Sequence, residues 1–288
     1  MRGRKFASQQ DIERHIANGF GEGAGASYVP WLRVQDVPSI GRSHKIQGVK
    51  IERIHHLLSD LERSYFLVCE FSEDVVDIRE QYPLLPTERA QAIASAIASA
   101  IAVRYPRYPR TTLPYVMTTD FLLTVKDPSG NFKSVARTVK YRSDLIGNGS
   151  KRTLEKLEIE KRFWESQGVD WKIVTDEFFT RDLIKNIGLI RRYSKLSRDL
   201  MKLPLHSNFI ECLVNSREYS WTLATCLRKI ASLLSISYID AQAIFFHLVW
   251  TKILKIDLVN TPLHLTGLVP DFEVSASPVQ VSLKEKMS

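Results

Sequence analysis

At 288 residues, with 44% hydrophobic side chains, the chain has the composition of an ordinary folded protein with room for one large core or two modest ones. No apolar run approaches the roughly 18 residues a membrane span needs, residues 1–10 lack a signal-peptide stretch, and Cys69, Cys212 and Cys226 are odd in number and without CxxC spacing; membrane, disulfide-framework and zinc-site classes are set aside, and the expectation is a soluble, unprocessed cytoplasmic protein. A formal net charge of +8 favours an anionic partner, nucleic acid first, although charge of this size also occurs without one, so individual residues must decide.

Residues 8–17 read as a short helix with Ser8 as N-cap and Asp11 three positions on. The glycines between Gly19 and Gly25 form a turn and not a nucleotide loop, because Ala26-Ser27-Tyr28 follows where a phosphate-binding loop needs Lys and Ser or Thr. Alternation of Tyr28, Pro30, Leu32 and Val34 predicts an irregular strand leading into Gly41-Arg42-Ser43-His44. Leu57, Leu58, Leu61, Tyr65, Val68 and Cys69 recur at helical spacing and predict an amphipathic helix over 59–71, followed by a strand over 75–82 that Pro83 and Pro86 end. Residues 87–103, with Ile93, Ile97 and Ile101 four apart, predict a surface helix packed on the core. The run Arg104-Tyr105-Pro106-Arg107-Tyr108-Pro109-Arg110 fits either a DNA-backbone contact or a proline-stiffened loop.

Strand-like segments over 116–126 and 132–140 flank Asp127-Pro128-Ser129-Gly130-Asn131, a hairpin turn signal, and so pair antiparallel. A helix over 153–167, capped by Thr153 and stopped by Gly168, precedes a last strand over 170–175. This order predicts an α/β fold with a mixed sheet. Past Arg181 the chain turns basic and helical, with Lys185, Arg191, Arg192, Lys195, Arg198 and Lys202, and the domain boundary is placed there. Helices over 221–234 and 239–253 about the Ser235-Ile236-Ser237 turn, with wing strands over 256–258 and 263–268, predict a winged-helix-like second domain over 182–270; residues 271–288 read as an exposed tail.

Phosphodiester hydrolysis needs a divalent cation held by carboxylates and a lysine that orients the nucleophile or stabilises developing charge. An acid on the first strand of a hairpin and a lysine late in the second can meet on one face, as Asp120 and Lys140 would, and Thr138 shares the face of Lys140 because side chains alternate along a strand. The pattern resembles the PD-(D/E)xK restriction-endonuclease-like core with a degenerate spelling: Thr119-Asp120 replaces Pro-Asp, and Thr138-Val139-Lys140 has threonine where the family usually carries an acid or sometimes Gln. Threonine binds Mg²⁺ weakly, so a second carboxylate must come from elsewhere. Glu62 is the candidate, and Ser59-Asp60-Leu61-Glu62 equally fits a capping box that ties the helix start.

The run from His55 to Glu62 and the run from Asp77 to Pro86 resemble TnsA, the endonuclease subunit of heteromeric cut-and-paste DNA transposases. The likeness extends to Tyr28-Val29-Pro30-Trp31-Leu32, Gly41-Arg42-Ser43-His44, Thr119-Asp120-Phe121-Leu122, Val139-Lys140 and the stretch from Thr153 to Glu160, in order over most of residues 10–176. The resemblance implies an endonuclease domain over 1–181 including an N-terminal arm, catalysis by Glu62, Asp120 and Lys140, and Mg²⁺ or Mn²⁺ held by Glu62, Asp120 and the Val139 carbonyl. It further implies cleavage of the 5′ ends of a transposon beside a TnsB-like transposase and a TnsC-like AAA+ ATPase, in a bacterial cytoplasm. Glu160 reads first as an exposed helical charge and second as a member of the metal shell. His55 and His56 read as structural, while Arg42, Lys45, Arg137, Lys151 and Arg152 flank the expected cleft as possible phosphate contacts, each otherwise a solvated surface charge. Two rival readings stand: a non-catalytic DNA-binding adaptor in which Thr138 marks lost metal binding, and an independent restriction or junction-resolving nuclease that cuts without partners.

Overall fold

The computed structural model describes residues 6–37, 41–84, 96–147 and 149–275. The chain divides into two compact units, Met1–Phe179 and Thr180–Ser288, where the sequence boundary was drawn after Arg181.

In the first unit, helix α1 (Gln9–Ala17) opens on a reciprocal capping box: the Asp11 N–H donates to Ser8 Oγ and the Ser8 N–H to the Asp11 carboxylate. The expected strand through 28–37 does not form. That stretch is irregular, with Trp31 buried against Phe6 and the Tyr28 hydroxyl donating to the Glu80 carbonyl at 3.0 Å. The pairing happens later, between β1 (His44–Gln47) and β2 (Ile54–Leu57), an antiparallel hairpin that the sequence reading missed. Its turn needs Gly48, where a Cβ would collide with the Ile51 carbonyl.

Helix α2 (Asp60–Phe71) starts at Ser59, whose hydroxyl accepts from the Glu62 N–H. A four-stranded sheet follows in sequence order, β3 (Val75–Pro83), β4 (Thr118–Lys126), β5 (Phe132–Lys140) and β6 (Asp170–Thr175), antiparallel except for the parallel β5–β6 pair. Helix α3 (Lys151–Ser166) crosses between those two strands, as a parallel connection requires. It begins at Lys151, two residues before the expected Thr153 cap. The sheet is covered on both faces: Phe121 meets Tyr65 of α2, while its neighbour Leu122 packs with Ala136 and with Ile159, Phe163 and Trp164 of α3. This mixed α/β sheet fits the restriction-endonuclease-like core. Of the helix predicted over 87–103, residues 96–100 are helical and bury Ala98; positions 87–95 lie outside the described residues.

A buried ion network ties the hairpin to β3. Glu80 accepts from Arg53 Nη1 and the His56 N–H on Oε1, and from Arg53 Nη2 and His55 Nδ1 on Oε2. Burial pushes the Glu80 carboxyl up, but Arg53 and His55 overcome that and hold it at about 2. Breaking such a pair strands a buried charge at a cost of about 3–5 kcal/mol. Glu80→Gln should therefore lower the urea midpoint near neutral pH, with the unfolding free energy reduced by about that much. The depressed acid contributes above its unfolded value near 4.5 and loses its contribution as pH falls through about 2, so wild type and variant should converge over that window. Coincident midpoints at neutral pH would show that the network does not stabilise the fold.

The second unit contains α4 (Arg181–Ile190), α5 (Leu203–Asn215), α6 (Leu223–Leu234) and α7 (Tyr238–Trp250), with a short pair β7 (Leu254–Lys255) and β8 (Glu273–Val274). Residues 244–249 of α7 are all buried, so the second half of this helix forms part of the unit's core. The unit departs from the winged-helix expectation at the wing. The strand after α7 pairs with Glu273–Val274, not with residues 263–268, and Phe272, expected in a tail, is buried under the Arg217 guanidinium. Residues 276–288 lie outside the described residues. The loop over 258–263 is fixed by buried Asn186, which donates to the Leu258 and Thr261 carbonyls and accepts from the Leu263 N–H. No single helix among the described residues is long and apolar enough to cross a membrane.

Candidate active site

The site forms where β4 and β5 part. Their antiparallel pairing runs from Lys126↔Phe132 to Phe121↔Arg137 and ends there, while β5 continues through Thr138, Val139 and Lys140 against β6. Asp120 is the first β4 residue beyond the paired stretch, and its carboxylate takes up a backbone donor on β5: the Val139 N–H donates to Asp120 Oδ2 at 2.7 Å. Lys140 Nζ donates to the same Oδ2 at 2.9 Å and to the Val139 carbonyl at 2.9 Å. Asp120, Val139 and Lys140, each expected at the site, thus form one hydrogen-bonded cluster.

Glu62 plays the capping role that its spacing allowed. It ties the start of α2, accepting from Ser59 Oγ at 3.1 Å and from the Leu58 N–H at 2.9 Å. It is also buried, and burial followed by the nearby Asp120 charge raises its carboxyl to about 7. Gln81, which the sequence reading did not single out, holds it from the other direction: the Gln81 amide donates to Glu62 Oε2 at 3.3 Å and its oxygen accepts from Thr118. Gln81 has φ +49° inside β3, a left-handed conformation that non-glycine residues adopt at a cost and that sequence does not signal.

Glu160 is not the exposed helical charge expected of it. It is 3% exposed, and its Oε1 accepts from Thr119 at 2.8 Å, from Trp171 at 3.1 Å and from the Thr138 hydroxyl. Burial and then the Asp120 charge raise this carboxyl, too, to about 7. The signal was present in the sequence: Glu160 follows Leu157 by three positions and precedes Phe163 and Trp164 by three and four, which places it on the apolar stripe of α3. A cleft of about 240 Å³ opens over these groups, lined by Asp120, Thr138, Lys140, Lys156 and Glu160 among others. Glu62 is not among the residues lining it. Burial disfavours the Lys140 charge, but Asp120, Glu160 and Glu62 outweigh that and raise its pKa, so the ammonium is retained.

Among the described residues no three His, Cys, Asp or Glu side chains converge into a metal-binding group. The donors on offer are the Asp120 carboxylate and the Val139 carbonyl, both already turned on one cation, the Lys140 ammonium, with Glu62 and Glu160 close enough for Asp120 to perturb both. This hard-oxygen set fits Mg²⁺, which takes one or two carboxylates and keeps several waters. The expected phosphate contacts divide. Arg137 is engaged with Asp170, donating to its carboxylate at 2.7 Å and to its carbonyl at 2.8 Å. Arg152 donates to the Arg104 carbonyl and to Glu155, while Lys151, Arg42 and Lys45 are exposed. His55 and His56 belong to the Glu80 network.

Residues 72–176 match the family described as TnsA-like endonuclease, N-terminal. That segment contains Asp120, Val139, Lys140 and Glu160, and Glu62 precedes it. Over 180 residues the chain is 44% identical to the transposon Tn7 transposition protein TnsA of Escherichia coli, an alignment covering 62% of this chain and 62% of that protein.

Proposed function

We propose that this chain, whose residues 72–176 match the TnsA-like endonuclease N-terminal family, is a metal-dependent DNA endonuclease that cuts the 5′ ends of a transposon during cut-and-paste transposition, working beside a TnsB-like transposase and a TnsC-like AAA+ ATPase. The observation that carries this reading is the parting of β4 and β5, which aims the Asp120 carboxylate and the Val139 carbonyl at one cation, Lys140.

Asp120, the Val139 carbonyl and Glu62 would hold Mg²⁺ or Mn²⁺, with Glu160 close by as a further carboxylate. When bound, the ion would activate water and offset negative charge gathering on the scissile phosphate. Lys140 keeps its proton at neutral pH because three acids surround it, so its ammonium can turn from Asp120 to a phosphate oxygen. Thr138 departs from the usual acid or Gln of the motif, and its hydroxyl donates to Glu160. Glu160 thereby supplies from α3 the carboxylate that threonine lacks.

The test is strand-resolved cleavage of transposon-end DNA by the full chain, with Mg²⁺ or with chelator, alone and with a TnsB-like partner. Metal-dependent nicking of the 5′ strand that requires the partner is the expected result. Efficient cutting by the chain alone would favour an independent nuclease, and an assembly that forms and cuts only the other strand would favour the adaptor.

A further inference from the structure

We propose that Arg104, Arg107 and Arg110, together with Arg152 and Lys156, form a phosphate-binding rail that holds the backbone of duplex DNA beside the catalytic cleft; the identity of the anion rests on the endonuclease reading.

The sequence left the run from Arg104 to Arg110 open between a nucleic-acid contact and a stiff loop, and the structure separates its two residue types. The aromatic members face inward. Tyr105 donates to the Tyr115 carbonyl at 3.1 Å, and Tyr108, 5% exposed, packs its ring on Phe6 and Tyr115. Neither ring is presented for stacking on a base. Arg104, Arg107 and Arg110 are exposed between them. The loop's shape is held by hydrogen bonds from the Tyr108 N–H to the Leu113 carbonyl and from the Tyr115 N–H to the Pro106 carbonyl, with Arg110 in the left-handed region at φ +65°.

The arginines border a hollow of about 580 Å³ whose lining includes Arg104, Arg107, Arg110, Arg152, Lys156 and a single acid, Glu155. That acid is already engaged by Arg152 at 2.7 Å. Burial first, and then the charges of Arg152 and Lys140, lower the pKa of Lys156. Helix α3 starts at the same place, with no side-chain cap and no acid in its first turn among the described residues, so its dipole adds to the positive field. The hollow adjoins the catalytic cleft, since Pro106 and Lys156 line both. A row of cations leading to a phosphodiester-cutting site, with its aromatic rings turned away, suits a continuous phosphate backbone and reads no base.

The test is equilibrium binding of the full chain to a labelled duplex in chelator, which prevents cutting, at a series of salt concentrations. Each lost phosphate contact should reduce the slope of log K against log salt by about 0.9. The triple variant R104A/R107A/R110A should therefore lose about 2–3 units of slope, equally on unrelated sequences, with its melting temperature unchanged, while Lys133→Ala at the exposed start of β5 should leave the slope alone. An unchanged slope in the triple variant overturns the rail, as does tighter binding of single-stranded DNA than of duplex. A reduced slope in a chain that never cuts within the full assembly would keep the rail and reject the endonuclease reading. Normal cutting with an unchanged slope would do the reverse.

Discussion

Asp120→Asn is expected to lower metal-dependent strand cleavage by about 10³-fold or more, while the chain stays folded and binds duplex in chelator as before. Removing one preorganised electrostatic contact from a transition state already costs about 10²–10³ in kcat, and Asp120 stands in more than one: its Oδ2 is shared by the Val139 N–H and Lys140 Nζ, and its charge raises the carboxyls of both Glu62 and Glu160. Asparagine keeps an oxygen for the Val139 N–H, so the local fold has no reason to fail. Lys140→Ala sharpens the test. It removes the ammonium that now lies between Asp120 and the Val139 carbonyl, so calorimetric Mn²⁺ affinity should equal or exceed that of wild type while cleavage is lost. Wild-type cutting by Asp120→Asn would remove that residue from catalysis, and weaker Mn²⁺ binding by Lys140→Ala would mean that the lysine does not compete for the metal's oxygens.

Glu160→Gln should raise thermal stability at neutral and alkaline pH while depressing cleavage. Folding raises this carboxyl from an ordinary value near 4.5 to about 7, by burial and by Asp120. A raised acid favours the folded state fully below its unfolded value, and that advantage is lost as pH rises through the folded one. By about pH 8 the ionised side chain is a cost on the order of 3 kcal/mol. Glutamine keeps one oxygen to accept from Thr119, Thr138 and Trp171, the three donors now on Oε1, and turns an amide instead of a second negative charge toward the acids. Scanning calorimetry should show a gain of several degrees near pH 8 that disappears by about pH 4. A melting point that falls at every pH would mean that Glu160 is a net stabilising contact, and unchanged cleavage would remove it from the site.

Asp120 and Lys140 were legible because each lies on a strand whose pairing is announced by the turn between them, so a two-residue alternation was enough to bring an acid and a lysine to one place. Glu62 was legible as far as its local geometry goes, since Ser59 three residues earlier already indicated the helix start. Its approach to Asp120 depends on the packing of α2 against the sheet. Glu160 was misjudged because a lone charge in a helix is usually solvated, and only its register with Leu157, Phe163 and Trp164 argued otherwise. In the second unit the two-helix pattern was legible from its periodicity, while the burial of Ile244, Phe245, Phe246, Leu248 and Val249 in the second half of α7 was set by packing within that unit.

The amino-acid sequence by itself determined α1, the order of elements from α2 onward in the first unit, the hairpin that pairs an acid with a lysine, and the basic character of the loop that precedes it. These follow from periodicity, capping and turn chemistry, interactions that reach only a few residues along the chain. Only the tertiary structure decided that β4 and β5 part at Asp120, that Gln81 adopts a left-handed backbone beside Glu62, that the Thr138 hydroxyl donates to a buried Glu160 and that the tyrosines of the basic loop turn inward and leave its arginines outside. Each of these is set by a partner from another element, and burial against that partner outweighs the weak local preference of the residue itself.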